Sequence, residues 1–374
     1  MNQLISLLLT TALLALSHIC SAQSSNQTKI PLQYFGLHIH RADEGTPWPN
    51  VPFGSWRLWD AHVNWTQLEP RKGQWDFSRL DRYVAMAGIT KVDILLPLAM
   101  TPKWASARPE EPSAYQPGNV AEPKNLADWT DYVAEVGKRY KGKIFYYEIW
   151  NEPSDKTHYS GDIPTLVKLT CEAKRVLKGI DPAIKIVSPA SAGGGRHIEY
   201  LDRFLAAGGA GCIDIVAHHF YLFKSPPEAM VPLIRAVKKV MAANRVGHLP
   251  LWNTETGYWI ESKDQIEIPA AFSRGGWKML ERDKEAGDYI TKALLLARAE
   301  GIDRFYWYAW DNRIMGLIEP KQGTPKPAVG DLAELMRKLV GATQLRCIEE
   351  HASWKCSFLG NDGEPHTYSW DKEK

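Results

Sequence analysis

Residues 144–153 read IFYYEIWNEP, an apolar and aromatic run that stops at Asn-Glu-Pro. The run from Ile144 to Trp150 has the β-branched and aromatic content of a strand buried on both faces. Pro153 has no N–H to give a sheet ladder, so the strand ends about there. Glu152 is then a carboxylate at the C-terminal lip of a buried strand, which is where a parallel α/β barrel keeps its chemistry. Glu148 lies four residues earlier, on the same face by the period of two and one layer deeper. A reactive Glu152 and a buried, paired, structural Glu148 are expected. The competing reading of Glu152 is a plain N-cap for the next helix.

Strand-like and helix-like blocks alternate from Tyr34 to about residue 340. Strand candidates cover residues 34–38, 55–59, 92–98, 144–150, 184–188, 213–220, 249–254 and 304–309, eight in all. Between them, Asn125 is expected to cap a helix that turns Trp129, Tyr132, Val133, Val136 and Tyr140 to one face. Pro164 is expected to open another, with Leu166, Leu169, Ala173 and Val176 inward and Gly179 closing it. Eight β-α units predict an α/β fold, a (β/α)8 TIM barrel over residues 23–340. An open, doubly wound sheet usually carries a Gly-rich phosphate turn after its first strand, and Phe35-Gly-Leu-His-Ile-His40 is not one. Past residue 340, short aromatic runs and an Asn361-Asp-Gly turn predict a small C-terminal antiparallel β annex, residues 341–374, packed on the barrel.

The formal net charge is +2, without a long run of one sign, so neither nucleic acid nor an anionic membrane is the expected partner. Trp and Tyr, 15 each, outnumber the 10 Phe; rings with a polar edge suit wet clefts and stack on sugars, although large barrels also bury Trp. The apolar run over residues 4–16, followed by Ser21-Ala22, reads as a secretory signal peptide spanning residues 1–22, even though its start lacks Lys or Arg. A secreted or periplasmic protein, free of the membrane after cleavage, is the expectation, and export permits disulfides. Cys347 and Cys356 flank an expected hairpin and are candidates to pair. Cys171 and Cys212 fall on elements that the sequence does not place side by side and read as buried thiols. Asn26 and Asn64 head glycosylation sequons. Nothing in the sequence speaks to oligomeric state.

A second carboxylate, Glu255, ends the seventh strand candidate in Pro250-Leu-Trp-Asn-Thr-Glu-Thr-Gly257. A barrel brings the ends of its fourth and seventh strands to opposite sides of one mouth. Two carboxyls facing each other there are what glycosidic bond cleavage requires: one protonates the leaving oxygen, the other attacks the anomeric carbon or activates water. Arg57, in the second strand candidate, supplies a fixed positive charge to keep Glu255 ionised. His219 and Tyr221 share a face by parity; His218 points the other way and reads as a core histidine. Adjacent histidines on a strand cannot chelate one ion, and no Cys-x-x-Cys or His-Glu-x-x-His occurs, so no metal and no cofactor is expected.

Trp150-Asn-Glu-Pro153 together with Thr254-Glu255 resembles the signature of clan A glycoside hydrolases. Within that clan the chain is most similar to family 39, of the exopolysaccharide-cleaving and β-xylosidase types. The resemblance rests on Phe35-Gly-Leu-His-Ile-His40, Trp56-Arg-Leu-Trp-Asp60, Gly73-Gln-Trp-Asp-Phe77, Pro102-Lys-Trp-Ala105, His219-Phe-Tyr221 and Tyr308-Ala-Trp-Asp311. It implies a retaining mechanism with Glu152 as acid/base and Glu255 as nucleophile. It further implies Asn151 on the sugar 2-hydroxyl, His219 and Tyr221 lining the sugar subsite with the Tyr hydroxyl on the nucleophile, and Trp310 as the stacking floor. Trp104 is a flanking candidate and His40 a further one at the end of the first strand, while Trp307 reads as core. The expected protein is a secreted hydrolase of β-glycosidic bonds in a polysaccharide or oligosaccharide, endo-acting on an exopolysaccharide. Exo action of the β-xylosidase type and a non-catalytic carbohydrate-binding barrel are the alternatives.

Overall fold

The computed structural model describes residues 28–264, 266–268 and 275–372. The expected signal peptide and the sequon at Asn26 lie outside the described residues. The chain divides into two compact units, Leu32–Ala333 and a smaller one formed by Met1–Pro31 with Glu334–Lys374.

The larger unit is built on nine parallel strands: β1 Phe35–His38, β2 Ser55–Arg57, β3 Asp93–Leu98, β4 Tyr146–Ile149, β5 Lys185–Val187, β6 Ser191–Ala192, β7 Val216–His219, β8 Leu251–Thr256 and, after a separate pair of short strands, β9 Trp259–Ile260 and β10 Met279–Leu280, β11 Arg304–Trp307. Their order is β5-β4-β3-β2-β1-β11-β8-β7-β6. Parallel bridges at Val187–Ile215 and Asn151–Ala190 join the two ends of that order into a ring. All eight expected strands are present, most of them shorter than their apolar runs and β8 of equal length but shifted by two residues; β6 is an extra pair of residues that the sequence did not announce. The strands bury nearly every residue on both faces, and Leu95, Val187, Ile215, Ala217, Trp252 and Tyr306 fill the interior. Such filling makes the barrel a packed core rather than a channel, so chemistry is left to the rim.

Helices α1 Trp65–Leu68, α2 Ser78–Thr90, α3 Leu126–Arg139, α4 Ile163–Ile180, α5 Arg196–Ala206, α6 Met230–Ala243 and α7 Ala286–Ala299 connect the strands. On α3, Trp129, Tyr132, Val133 and Val136 are buried. Asn125 stands at its N-cap position but makes no cap bond; its amide instead donates to Asp128. Asp162 caps α4 by accepting from the Thr165 N–H, and Leu177 rather than Val176 completes the buried stripe. Cys171 on α4 is joined to Cys212, which overturns the reading of both as free thiols. The sequence hid this pairing because a 3-10 turn, Gly209–Cys212, brings Cys212 alongside the helix, and no period marks such a turn.

In the smaller unit, β12 Thr343–Glu350, β13 Ser353–Leu359 and β14 Pro365–Asp371 form an antiparallel sheet. Cys347 lies directly opposite Cys356 and the two are bonded. Ile30 exchanges backbone hydrogen bonds with Gly341 and Ala342, which ties residues near the N-terminus to this unit.

Candidate active site

The C-terminal ends of β2, β4, β7 and β8 converge on one guanidinium. Arg57, the last residue of β2, is fully buried. Its Nε donates to Glu148 Oε2 at 2.7 Å, its Nη1 to Glu255 Oε2 at 2.8 Å and its Nη2 to Asn151 Oδ1 at 2.7 Å. The planar fork of arginine satisfies three acceptors at fixed angles, which a lysine ammonium on a flexible stem cannot. Burial works against the charge on Arg57, but Glu148 and Glu255 outweigh it and hold it protonated. Thr254 donates to the other oxygen of Glu148, so this carboxylate is closed off as a structural partner.

Beyond β4 the backbone turns sharply. Trp150 and Glu152 have positive φ values of 67° and 45°, and the Glu152 N–H donates to Ala190 O at 2.9 Å. Two left-handed residues outside glycine are costly and are found where the surrounding structure enforces them, typically at functional sites. The turn brings the Glu152 side chain to the rim with 17% exposure, 2.8 Å from His219 Nδ1 and 3.9 Å from His158 Nε2. Glu255, the fifth residue of β8, is 7% exposed and receives the Tyr221 hydroxyl at 2.8 Å on the oxygen that Arg57 leaves free. One oxygen of Glu152, one of Glu255 and a ring nitrogen of His219 all lie within 4.8 Å of one another.

Burial is the main influence on both carboxyls. It pushes Glu255 up to about 7, with the Glu152 charge adding to the rise, and it raises Glu152, with Asp155 and Asp60 adding to the rise. Glu148, Glu152 and Glu255 face a single fixed cation, so the group retains a proton near neutrality. The hydrogen bonds decide where it rests. Arg57 and Tyr221 both donate to Glu255 and favour its anion. Glu152 meets neither a cation nor a hydroxyl at that distance, only His219 Nδ1 at 2.8 Å, on a ring that burial pushes down to about 3 and so keeps neutral. Glu152, with no cationic or hydroxyl donor, is the carboxyl better suited to keep the proton. The same three donors, Glu152, His219 and Glu255, have the outline of a metal site, but a guanidinium 2.8 Å from Glu255 opposes a second cation there.

The cleft around the pair encloses about 480 Å³, in the range of small-ligand sites. Of the sequence candidates, Glu152, Glu255, Asn151 and Tyr221 line it, and Arg57 and His219 stand directly behind. Trp310, Trp104 and His40 do not line it. Trp310 is 1% exposed and donates its ring N–H to Pro47 O. β11 ends at Trp307, and the resemblance that implied Trp310 does not place it on the cleft: Tyr308 is the aromatic that lines the cleft there. Trp104 donates to Glu69 O and packs edge-on against Trp65, and His40 is held beside Asp311. His218 bonds Gly193 O and belongs to the core. Residues the sequence did not single out are Asp60, Tyr115, His158 and Trp277. Asp60 was within reach, as the last residue of the Trp56-Arg-Leu-Trp-Asp60 motif; Tyr115 and Trp277 lie in loops that carry no periodic signal.

The family model of the glycosyl hydrolases family 39 matches residues 59–257, more than half of the chain and inclusive of both rim glutamates. The chain belongs to glycosyl hydrolase family 39. This family 39 chain is 25% identical over 207 residues to a β-xylosidase from Geobacillus stearothermophilus, covering 48% of its own length and only 40% of the relative's. Its fold is similar to that of a family 39 enzyme from Xanthomonas axonopodis pv. citri, with a TM-score of 0.64 and 18% identity over 89% of this chain and 73% of that one. A family 39 β-xylosidase from Caulobacter crescentus gives a TM-score of 0.64 and 18% identity over 88% and 78% of the two chains. A glucosidase from Croceicoccus marinus gives 0.66 and 15% over 88% and 75%.

Tyr221→Phe removes a hydrogen bond to a charged group, worth about 1.5–3 kcal/mol, so kcat/KM is expected to fall roughly 10- to 100-fold. The lost donor stabilised the anion, so Glu255 binds its proton more tightly and the acidic limb of the pH–rate profile moves to higher pH. A profile that stays in place would mean that the hydroxyl does not act through Glu255.

Proposed function

We propose that the family 39 chain is a retaining β-glycosidase in which Glu255 attacks the anomeric carbon and Glu152 serves as acid and then base. The observation that carries this reading is the carboxyl pair, within 4.8 Å and unequally furnished with donors. Retaining enzymes hold the two groups about 5–5.5 Å apart, whereas inverting ones need about 6.5–9.5 Å to admit a water between them. In the first step the Glu152 proton passes to the leaving oxygen as the glycosidic bond breaks and Glu255 forms the new ester bond. The ester carries no charge, so the repulsion that kept Glu152 protonated is gone. Water then gives its proton to Glu152 and opens the ester, restoring both carboxyls. Asn151 accepts from Arg57 through its oxygen, which leaves its amide N–H groups for the sugar 2-hydroxyl.

The substrate of this reading is a neutral polysaccharide cut internally and met outside the cytoplasm. Support for internal cutting is the reach of the cleft beyond the pair, since Trp59, Tyr115, His197 and Phe223 line it as well. Two disulfides support an oxidising compartment. Exo action on xylosides is the second reading, favoured by the relatives named as β-xylosidases.

The test is the stereochemistry of the first product. Proton NMR during hydrolysis of an aryl β-glycoside is expected to show the β-anomer before mutarotation. First release of the α-anomer would overturn the double displacement. Sizing the products of a polysaccharide digest then separates the two modes: a rapid fall in chain length marks internal cutting, and a steady release of monosaccharide marks exo action.

A further inference from the structure

Besides Glu152 and Glu255 the cleft is lined by Asp60 and Asp155, and the double displacement gives Asp60 no part. Asp60 follows β2 by three residues and has a positive φ of 56°, a conformation that Asp bears more readily than most residues but that is still selected against without a reason. Both of its oxygens are taken in hand from opposite sides. The Tyr115 hydroxyl donates to Oδ1 at 3.0 Å and the Tyr308 hydroxyl to Oδ2 at 2.6 Å. Asn312 in turn donates toward the Tyr308 hydroxyl at 3.4 Å. These residues come from three separate loops, after β2, β3 and β11, and all line the same cleft as Glu152 and Glu255. Among the described residues no cation forms an ion pair with Asp60, and Arg57 is spent on Glu148 and Glu255.

An ionised carboxylate offers about four acceptor positions, and one hydroxyl donor on each oxygen leaves about one position free on each. Two free acceptors on one rigid planar group match two neighbouring hydroxyls of a pyranose ring, the pattern that a sugar presents and water does not. Resting on the glycosidase reading above, we infer that Asp60, oriented by Tyr115 and Tyr308, binds an adjacent pair of hydroxyls on the sugar whose glycosidic bond is cut. The chemistry also sets the class of sugar. An uncharged pyranose with its 3- and 4-hydroxyls free fits, whereas a uronate or sulfated ring brings a second negative charge against Asp60. Tyr115 and Tyr308 are positioning residues in this arrangement.

The experiment compares wild type with Asp60→Asn on 4-nitrophenyl β-xyloside, β-glucoside, β-galactoside and β-mannoside, then on the 3-deoxy and 4-deoxy forms of the fastest of these. Asparagine keeps the shape but replaces one acceptor oxygen with a donor and removes the charge. On the parent glycoside kcat/KM is expected to fall roughly 10- to 100-fold, as for a lost hydrogen bond to a charged group. On a deoxy glycoside, which lacks a partner hydroxyl, most of that fall is expected to vanish, because the two changes remove the same interaction. An equal fall on parent and deoxy substrates, or no fall at all, overturns the inference. Should Asp60→Asn lower the melting temperature, Tyr115→Phe provides the second variant: the Tyr115 side chain is 41% exposed, and loss of its hydroxyl is expected to cost about 3- to 10-fold on the parent and nothing on the deoxy form. Wild type inert on all four glycosides and on polysaccharide would sink the glycosidase reading itself, a result distinct from an active enzyme indifferent to Asp60.

Discussion

Glu255→Ala is expected to lose on the order of 10⁵-fold in kcat while remaining folded, the scale seen when the nucleophile of a covalent mechanism is removed. The side chain makes two hydrogen bonds, to Arg57 and Tyr221, and truncation opens a small polar gap that water can fill. Arg57 retains Glu148 and Asn151, so the fold keeps its charge balance. The gap also makes the assignment checkable in a second way. Azide fits where the carboxylate was and attacks the anomeric carbon from the same face. It is expected to restore turnover of an activated aryl glycoside and to give the inverted glycosyl azide. Glu152→Ala leaves the nucleophile intact, so azide is expected there to give the retained product. A Glu255→Ala enzyme with undiminished turnover would rule out the proposed chemistry outright.

Arg57→Met is expected to cost about 3–5 kcal/mol of stability, the usual penalty for stripping one partner from a buried ion pair. Methionine replaces the stem but leaves two carboxylates, Glu148 and Glu255, without their donor in a site where Arg57 is fully buried. For a unit of about 300 residues this translates into a melting temperature lower by roughly 6–15 °C. Adding Glu148→Gln to the same chain is expected to recover part of the loss, since one stranded charge is then neutral. Calorimetry of the two variants reads this directly. A melting point unmoved by Arg57→Met would show that the carboxyls draw their stabilisation from elsewhere.

Legibility followed the regular elements. The alternation of two-fold and 3.6-fold apolar periods is a backbone property, and it placed all eight strands. The run ending in Asn151-Glu152-Pro153 located the rim carboxyl Glu152 because a proline and a buried strand together leave few choices. Arg57 was found for a similar reason: an arginine inside an aromatic strand needs a buried partner. The resemblance served less well where strands ended. Trp310, placed by it, lies beyond β11 and off the cleft, and Tyr308 lines the cleft instead. Trp104 and His40 are loop residues too, and a loop's course is set by contacts that neighbours in sequence do not display. Cys171 and Cys212 were missed because their contact depends on how a helix meets a 3-10 turn, a tertiary fact. Tyr115 and Trp277 come from long loops, whose course is fixed by contacts distant along the chain.

The way Arg57 bridges three strands has an evolutionary consequence. A change at Glu148, Asn151 or Glu255 is felt by the barrel wall as well as by the reaction, so drift at those positions is punished twice. Residues such as Asp60, Tyr115 and Trp277 hang from loops that the wall does not depend on. New substrates can be sampled there by insertion and exchange while the bond-breaking centre is inherited unaltered.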